Sequence, residues 1–568
     1  MSRPLSKQEI EILKLQRCSA ENWENIEVTD PFMADRLQDV RFSGNIKLGA
    51  NGGSTPEENG TAKPAGIRNC FIHNCTIGND VFLSDVGTLA NYTIGDQVTI
   101  EQVGTLQVTG TSSFGNGHEI DVLNEGGGRE LPIFDRLTAQ IAYLMVLYRH
   151  DNVFTQKLKA IIDRYVQTCT SETGKVEAKS KILFTKTIRN VNIGPYTTIR
   201  GAALLEEGTI AGNPSAPVFF GENVSARHFI ILSGSTIDGG AIISSSFVGQ
   251  EVHIGRQFSA ENSVFFANCE AFHGEACSIF AGPYTVTHHK STLLIAGLFS
   301  FYNAGSGTNQ SNHMYKLGPI HQGIVERGSK TGSFSYMLWP CRVGPFSVVM
   351  DKHAGNFDAS EFPFSYISVE GGKSVLTPAM NLFTVGTARD NKKWPKRDRR
   401  KDPERFDLIH FNFLNPYTAG KILEGIKHLE HLHKATPKTR EFVSHKGLHI
   451  NRLMLRTSRR YYELALTVYL YGSLVSLLES SSFKSMQDIR QILSSRNIPE
   501  KNVQWVDMAG MLAPKPAVEK LMNQITGEKI ETVEELQVEL QEMHGQYVKE
   551  AWNWCAFALK LWKQTDVN

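Results

Sequence analysis

A chain of 568 residues is too long for one ordinary core and predicts two to four structural units. With 41% hydrophobic and 21% charged residues, its net charge of +1 excludes a whole-molecule field drawing it to nucleic acid or an anionic membrane. The eight cysteines (18, 70, 75, 169, 269, 277, 341 and 555) include no C-x-x-C pair, which argues against a zinc ribbon and fits reduced thiols in a cytoplasm.

Residues 1–39 are expected to form an N-terminal helical segment. Its start, MSRPLSKQEIEILKLQRC, has no long apolar core and no small-residue cleavage site, so no signal peptide is expected. A first β-helix block is expected over 40–125, where apolar residues recur six apart, with occasional steps of five: Ile77, Leu83, Leu89, Ile94, Ile100, Leu106. Six residues at 3.6 per turn rotate an apolar stripe off a helix face, and strict two-residue alternation is missing. Such steps fit a parallel β-helix, in which each step is a short strand plus a corner and the apolar marker points into a narrow shared core. Glycines follow several markers (Ile77-Gly78, Ile94-Gly95, Ile193-Gly194, Val248-Gly249) and are expected to relieve the corners.

Over 126–175 the spacing is interrupted. Pro132 suits a first helical turn, and Ile133, Leu137, Ile141, Leu144 and Leu147 form a helical stripe. With a second helix at 154–168 this makes an inserted α-hairpin, expected to project from a single β-helix. Two apolar stretches, 137–148 and 464–478, fall short of the roughly 18 residues of a membrane span and read as buried helices. The six-residue markers resume at Ile182, Ile188, Ile193, Ile199 and Leu205. They continue through Ile231, Ile237, Ile242, Val248, Ile254, Ala260, Phe266 and Phe272, giving a main β-helix block over 176–388. Residues 389–416 read as a basic linker, with nine basic and four acidic residues in RDNKKWPKRDRRKDPER (389–405). Helical periods at 417–435, 450–480, 484–495, 513–526 and 531–564 predict a C-terminal helical domain over 417–568, placed to cap the open end of the coil. The fold class is mainly β plus α.

These repeats, at roughly 40–115 and 180–350, resemble the hexapeptide-repeat, left-handed β-helix superfamily of bacterial transferases. That resemblance implies left-handed coiling, a homo-trimer built through flat faces and, in its acyltransferases, a coil histidine acting as general base. The segments GPYTVTHHK, SNHMYKLGP, LWPCRVG, FPFSYI and KWPKRDRRK also look like an uncharacterised β-helix family of Bacteroides-type bacteria, which brings no known chemistry.

The densest polar segment, 282–323, supplies the candidate catalytic residues His288, His289 and Lys290. An imidazole suits general-base work because its unperturbed pKa is about 6.5. Adjacent strand residues face opposite sides; with Val286 inward, His289 faces outward and is favoured over His288. Lys290 would disfavour the imidazolium and hold a phosphate. Asn309, Asn312, His313, Tyr315 and Lys316 form a substrate-binding candidate, since amides and a phenol read sugar hydroxyls; they also suit an ordered loop. Asn124, Glu125 and Arg129 flank a glycine-rich stretch before a helix, an anion cradle or a plain connector. Lys393, Lys396, Arg397 and Arg399 are the phosphate-binding candidates, against a solvated charge run. No three-histidine metal arrangement is found, and no cofactor is expected.

Two readings stay open. One is a transferase acting on a sugar or sugar nucleotide, by acyl transfer with acyl-CoA as co-substrate. The other is a non-catalytic sugar-nucleotide-binding or assembly protein on the same scaffold.

Overall fold

The computed structural model describes residues 2–56, 61–312, 321–382, 384–479, 485, 487–488 and 502–565. Its centre is a parallel β-helix of three ladders. One ladder stacks Ile237, Ile254, Ala271, Thr287 and Ala304 inward; a second stacks Ile243, Ala260, Ala276 and Leu294; a third stacks Val248, Phe265, Ala281 and Phe299. All are buried, and all but Thr287 belong to one continuous apolar core, so each coil completes its neighbour's interior.

Spacing between coils explains where the six-residue reading slips. Ile237 stacks on Ile254, and Val248 on Phe265, so a coil here is 17 residues and one of its three steps has five. The inward positions are therefore Ile243, Phe265 and Ala271, not Ile242, Phe266 and Phe272; Ile242 is 54% exposed. Glycines play a different part from the one expected. Gly78, Gly95 and Gly194 do not have positive φ; the left-handed corner positions belong to Asp80, Gln97, Lys179 and Tyr196. A Cβ on Gly78 would lie 2.7 Å from the Gly95 carbonyl carbon, so these glycines permit close stacking of backbone on backbone.

The N-terminal segment is mostly not helical. Helix α1 (Lys7–Leu15) carries a Ser6–Glu9 capping box, but Ser19–Ala20 and Ile26–Thr29 are strands laid on the first long strand, Leu37–Leu48. They cover the edge that the first coil would otherwise expose.

Helices α2 (Ala139–Leu147) and α3 (Asn152–Cys169) do not project. Ile141, Leu144 and Val146 of α2 lie in a second core with Phe247, Phe266 and Phe280, which point outward from the β-helix. Those rings pack tilted against one another, at 5.4 and 5.1 Å between centroids.

The basic stretch 389–405 is not a free linker. Helix α4 (Val385–Lys393) leads into a strap that runs along the β-helix and ends between it and α2. The fully buried Asp407 carboxylate accepts from the backbone N–H of Ala139 (2.8 Å) and Ala267 (2.7 Å), joining all three layers.

Helices α5 (Pro416–Ala435) and α6 (Arg452–Glu479) close the last coil, where the Tyr462 hydroxyl donates to the Pro363 carbonyl at 2.6 Å. The strand Leu448–Asn451 continues the sheet beside Lys373–Thr377. Helix α6 is less buried than expected: Leu464, Val468, Tyr471 and Val475 are exposed. Among the described residues it is the one helix long and apolar enough to cross a membrane. The stretch 484–495 lies mostly outside the described residues. Helix α7 (Lys515–Thr526) adds Val518 and Leu521 to the second core. The expected long helix at 531–564 is two helices, α8 (Val533–Gly545) and α9 (Tyr547–Thr565), parted at Gln546.

Candidate functional site

One outward ladder of the β-helix presents Glu270, Val286, Asn303 and Lys330 on successive coils. Neighbouring strands are about 4.8 Å apart, so this row spans roughly 14 Å. Helix α4 and the strap lie over it and enclose a cavity of about 390 Å3. The ladder side contributes Glu270, His288, Asn303 and Lys330; the strap side contributes Arg389, Asp390, Lys393, Arg397 and Arg399. Tyr284, Phe301 and Trp394 form its aromatic wall, with Tyr284 stacked on Phe301 at 5.4 Å and Trp394 against Phe301 at 4.7 Å.

His288 is placed by the strand before it. Thr287, not Val286, takes the inward position and is buried, so Val286 and His288 share the outer face. This reverses the premise that favoured His289. His289 and Lys290 are exposed at the following corner and do not line the cavity; the His289 carbonyl accepts from the Thr292 hydroxyl at 3.1 Å.

The His288 Nε2 contacts the Glu270 carboxylate, whose other oxygen accepts from Arg399. Hydrogen bonding from His288, helped by Arg399 and opposed by burial, holds the Glu270 carboxyl down at about 2. An ionised carboxylate only accepts, so Nε2 is the nitrogen that carries a proton toward Glu270, and in the neutral imidazole Nδ1 then presents its lone pair.

The strap is locked behind the cavity. Asp398 takes a bidentate pair from Arg400 (2.9 and 2.8 Å) and a hydrogen bond from the Asn268 amide (3.0 Å). Burial opposes ionisation of Asp398, yet these contacts bring its carboxyl to about 2. Arg399 also donates to the Glu251 carbonyl at 3.0 Å. In the middle, Lys330 pairs with Asp390, which holds that carboxyl below its ordinary range against the penalty of burial.

Five Lys and Arg side chains therefore face two carboxylates in the cavity. Lys393 and Arg397 have no side-chain partner among the described residues. Cations left unpaired beside a ring wall suit an anionic ligand with an apolar or planar part.

His288, Lys393, Arg397 and Arg399 are thus brought together across more than 100 residues of chain, whereas Lys396 is exposed outside the cavity. Asn309 lies on another ladder, between Leu293 and Tyr336. Asn312 is buried near Glu125, whose carboxyl is pushed up by burial and sits 3.8 Å from the Cys277 sulfur. Asn124 accepts from the Gly126 N–H at 3.2 Å within its own turn. Arg129 donates to the Val146 carbonyl at 3.1 Å, an anchor at the end of α2. His313, Tyr315 and Lys316 lie outside the described residues. Sequence reasoning gave Glu270, Asn303, Lys330, Arg389 and Asp390 no place in the site. The available signal was coil length: Glu270 lies 18 residues before His288, close to one full turn. Among the described residues no group of three His, Cys, Asp or Glu side chains is placed to hold a metal.

Residues 2–433 match the family model described as Domain of unknown function (DUF4954). The chain belongs to the DUF4954 family. Residues 485–568, beyond the DUF4954 match, match a second model, Domain of unknown function (DUF6819). A relative from Treponema pallidum (strain Nichols), described as an uncharacterized protein, is 24% identical over 596 residues, covering 96% of this chain and 80% of that protein. Among solved structures, the crystal structure of Arabidopsis UDP-N-acetylglucosamine acyltransferase is 14% identical, covering 47% of this chain and 84% of that one with a TM-score of 0.17. The cavity lies wholly within the DUF4954 match, since its lining runs from Asn268 to Arg399.

Proposed function

We propose that the cavity binds a phosphorylated sugar or sugar nucleotide and transfers an acyl group to it, with His288 as general base. The observation carrying this reading is that His288, oriented by Glu270, shares one cavity with the unpaired cations Lys393 and Arg397.

In this reading Lys393 and Arg397 take the ligand's phosphate oxygens, and the Tyr284–Phe301–Trp394 wall takes its apolar side. Asn303, on the rung beside His288, offers an amide to a hydroxyl or to the developing oxyanion. Nδ1 of His288 accepts the proton of the attacking hydroxyl or amine, and Glu270 steadies the imidazolium. With acyl-CoA as donor, the acceptor's oxygen or nitrogen bonds to the acyl carbon, the C–S bond breaks, and the proton passes from Nδ1 to the departing sulfur.

A thermal-shift and calorimetric series with nucleotide sugars, sugar phosphates and CoA esters tests the proposal. A double Lys393→Ala, Arg397→Ala variant is expected to weaken binding of the phosphorylated ligand at least tenfold. His288→Ala is expected to keep that binding and to lower turnover by about 10²–10⁴-fold. His289→Ala leaves both unchanged. Turnover that survives in His288→Ala sinks the general-base role.

A second reading, binding without turnover, is favoured by one feature: Glu270 is gripped by both His288 and Arg399, an arrangement that also serves as a latch between coil and strap. Tight ligand binding by the native protein, with no acyl transfer from any CoA ester, selects it.

A further inference from the structure

Behind Phe301 lies a separate cavity of about 100 Å3, between the β-helix, α2, α5 and the strand Trp505–Met508. Its lining includes Arg327, Arg342, Glu326, Asp507, Tyr143 and Tyr417. Arg327 is fully buried, its guanidinium over the Phe301 ring at 4.9 Å from the centroid. One of its nitrogens, Nη2, donates to the His410 carbonyl, while Nε and Nη1 have no hydrogen-bond partner. Asp507 is 3.7 Å from Nη1, too far for a hydrogen bond, and already accepts from the Gly510 N–H at 2.8 Å.

A buried guanidinium with two idle donors is expensive unless an acceptor reaches it. The fixed charges say what kind. Glu326 is neutralised by Lys421 at 2.9 Å and also accepts from the Tyr417 hydroxyl at 2.5 Å. That leaves Arg327 and Arg342 facing Asp507, and Arg342 has no side-chain partner among the described residues. The excess is one positive charge. Tyr143 keeps its proton because burial pushes its pKa up, so it offers an O–H.

We propose that this cavity is a site for a small monovalent carboxylate of the formate or acetate class. Its oxygens meet the idle Arg327 donors at the base and Arg342 at the mouth. The cavity holds a few heavy atoms and no nucleotide, and Phe301 separates it from the larger site. The two oxygens of a carboxylate let it bridge, one meeting an idle Arg327 N–H and the other the Arg342 guanidinium.

The full chain is titrated with sodium acetate, against acetamide and sodium chloride, at constant ionic strength. Acetate is expected to raise the melting temperature saturably, while acetamide and chloride do not. Arg342→Gln, at an exposed position, should fold normally by circular dichroism and weaken the acetate response at least tenfold; Arg342→Lys should restore part of it. The Lys393→Ala, Arg397→Ala variant should respond to acetate like the native protein. Equal shifts from acetate and chloride overturn the site, as does an unchanged response in Arg342→Gln; either result would leave the cavity to water. An acetate response lost in the double variant overturns it too, by assigning the anion to the larger cavity.

Discussion

On the third ladder of the β-helix, a single outward position can be followed from coil to coil. In the early coils it holds Asn192 and Thr209; then come Ile230, Phe247, Val264, Phe280, Leu298 and Ile324. In the early region these outward residues serve the backbone: the Asn192 side chain accepts from the Lys175 N–H at 2.9 Å, and the Thr209 hydroxyl donates to the Phe114 carbonyl at 2.7 Å. In the later region they form the floor of a second core under α2 and α7. The inward face is apolar throughout because stacking always makes a core there. The outward face reports what covers each coil, and the candidate cavity lies where helix α4 and the strap cover it.

Removing a piece of the covered region should have the largest effect. Phe247→Ala opens the second core and is expected to lower stability by about 3–5 kcal/mol, measured by urea denaturation. Asn192→Ala at the equivalent early rung should lower it by about 0.5–2 kcal/mol. Similar losses at both rungs would erase the distinction.

Asp398→Ala leaves Arg400 buried without its partner, at an expected cost of about 3–5 kcal/mol. Because Asp398 also anchors the strap to Asn268, ligand binding should fall with stability; binding that survives intact would detach the strap from the site.

In the early region, Gly78→Ala should destabilise by about 1–3 kcal/mol, since its new Cβ would meet the backbone of the coil above. Gly386→Ala, in helix α4 with open space around it, should be neutral or slightly stabilising, which separates stacking from glycine content as such.

One further effect is pH-dependent. Glu270 is held from its ordinary 4.5 down to about 2, so its pairing stabilises the fold fully above the higher value and is lost as pH falls through the lower. The stability gap between native protein and Glu270→Gln should therefore shrink from about pH 5 to about pH 2. A gap that stays constant over that range would mean the pair contributes nothing.

Much of the coil was legible because its code is local. Ile77, Leu83, Leu89, Ile94, Ile100 and Leu106 are all buried, each marking its own step. Phase was less legible: a five-residue step moves the inward position by one, and Ile242 against Ile243 cannot be separated without the neighbouring coil. The same one-residue ambiguity decided between His288 and His289. Lys393, Lys396, Arg397 and Arg399 read alike, as phosphate-binding candidates or a solvated charge run, because nothing in 389–405 states where the strap lies.

The sequence by itself determined the scaffold: repeated short steps with one apolar residue each can bury themselves only by stacking into a continuous coil. Tertiary structure alone decided the site. The contacts that build it pair Glu270 with Arg399, Asn268 with Asp398 and Lys330 with Asp390, 129, 130 and 60 residues apart. Such pairs leave no periodic trace, because each is one ion pair or hydrogen bond made after two remote segments have found the same face. The spacing of the coil says how the chain turns; only the folded strap says which turn becomes a cavity.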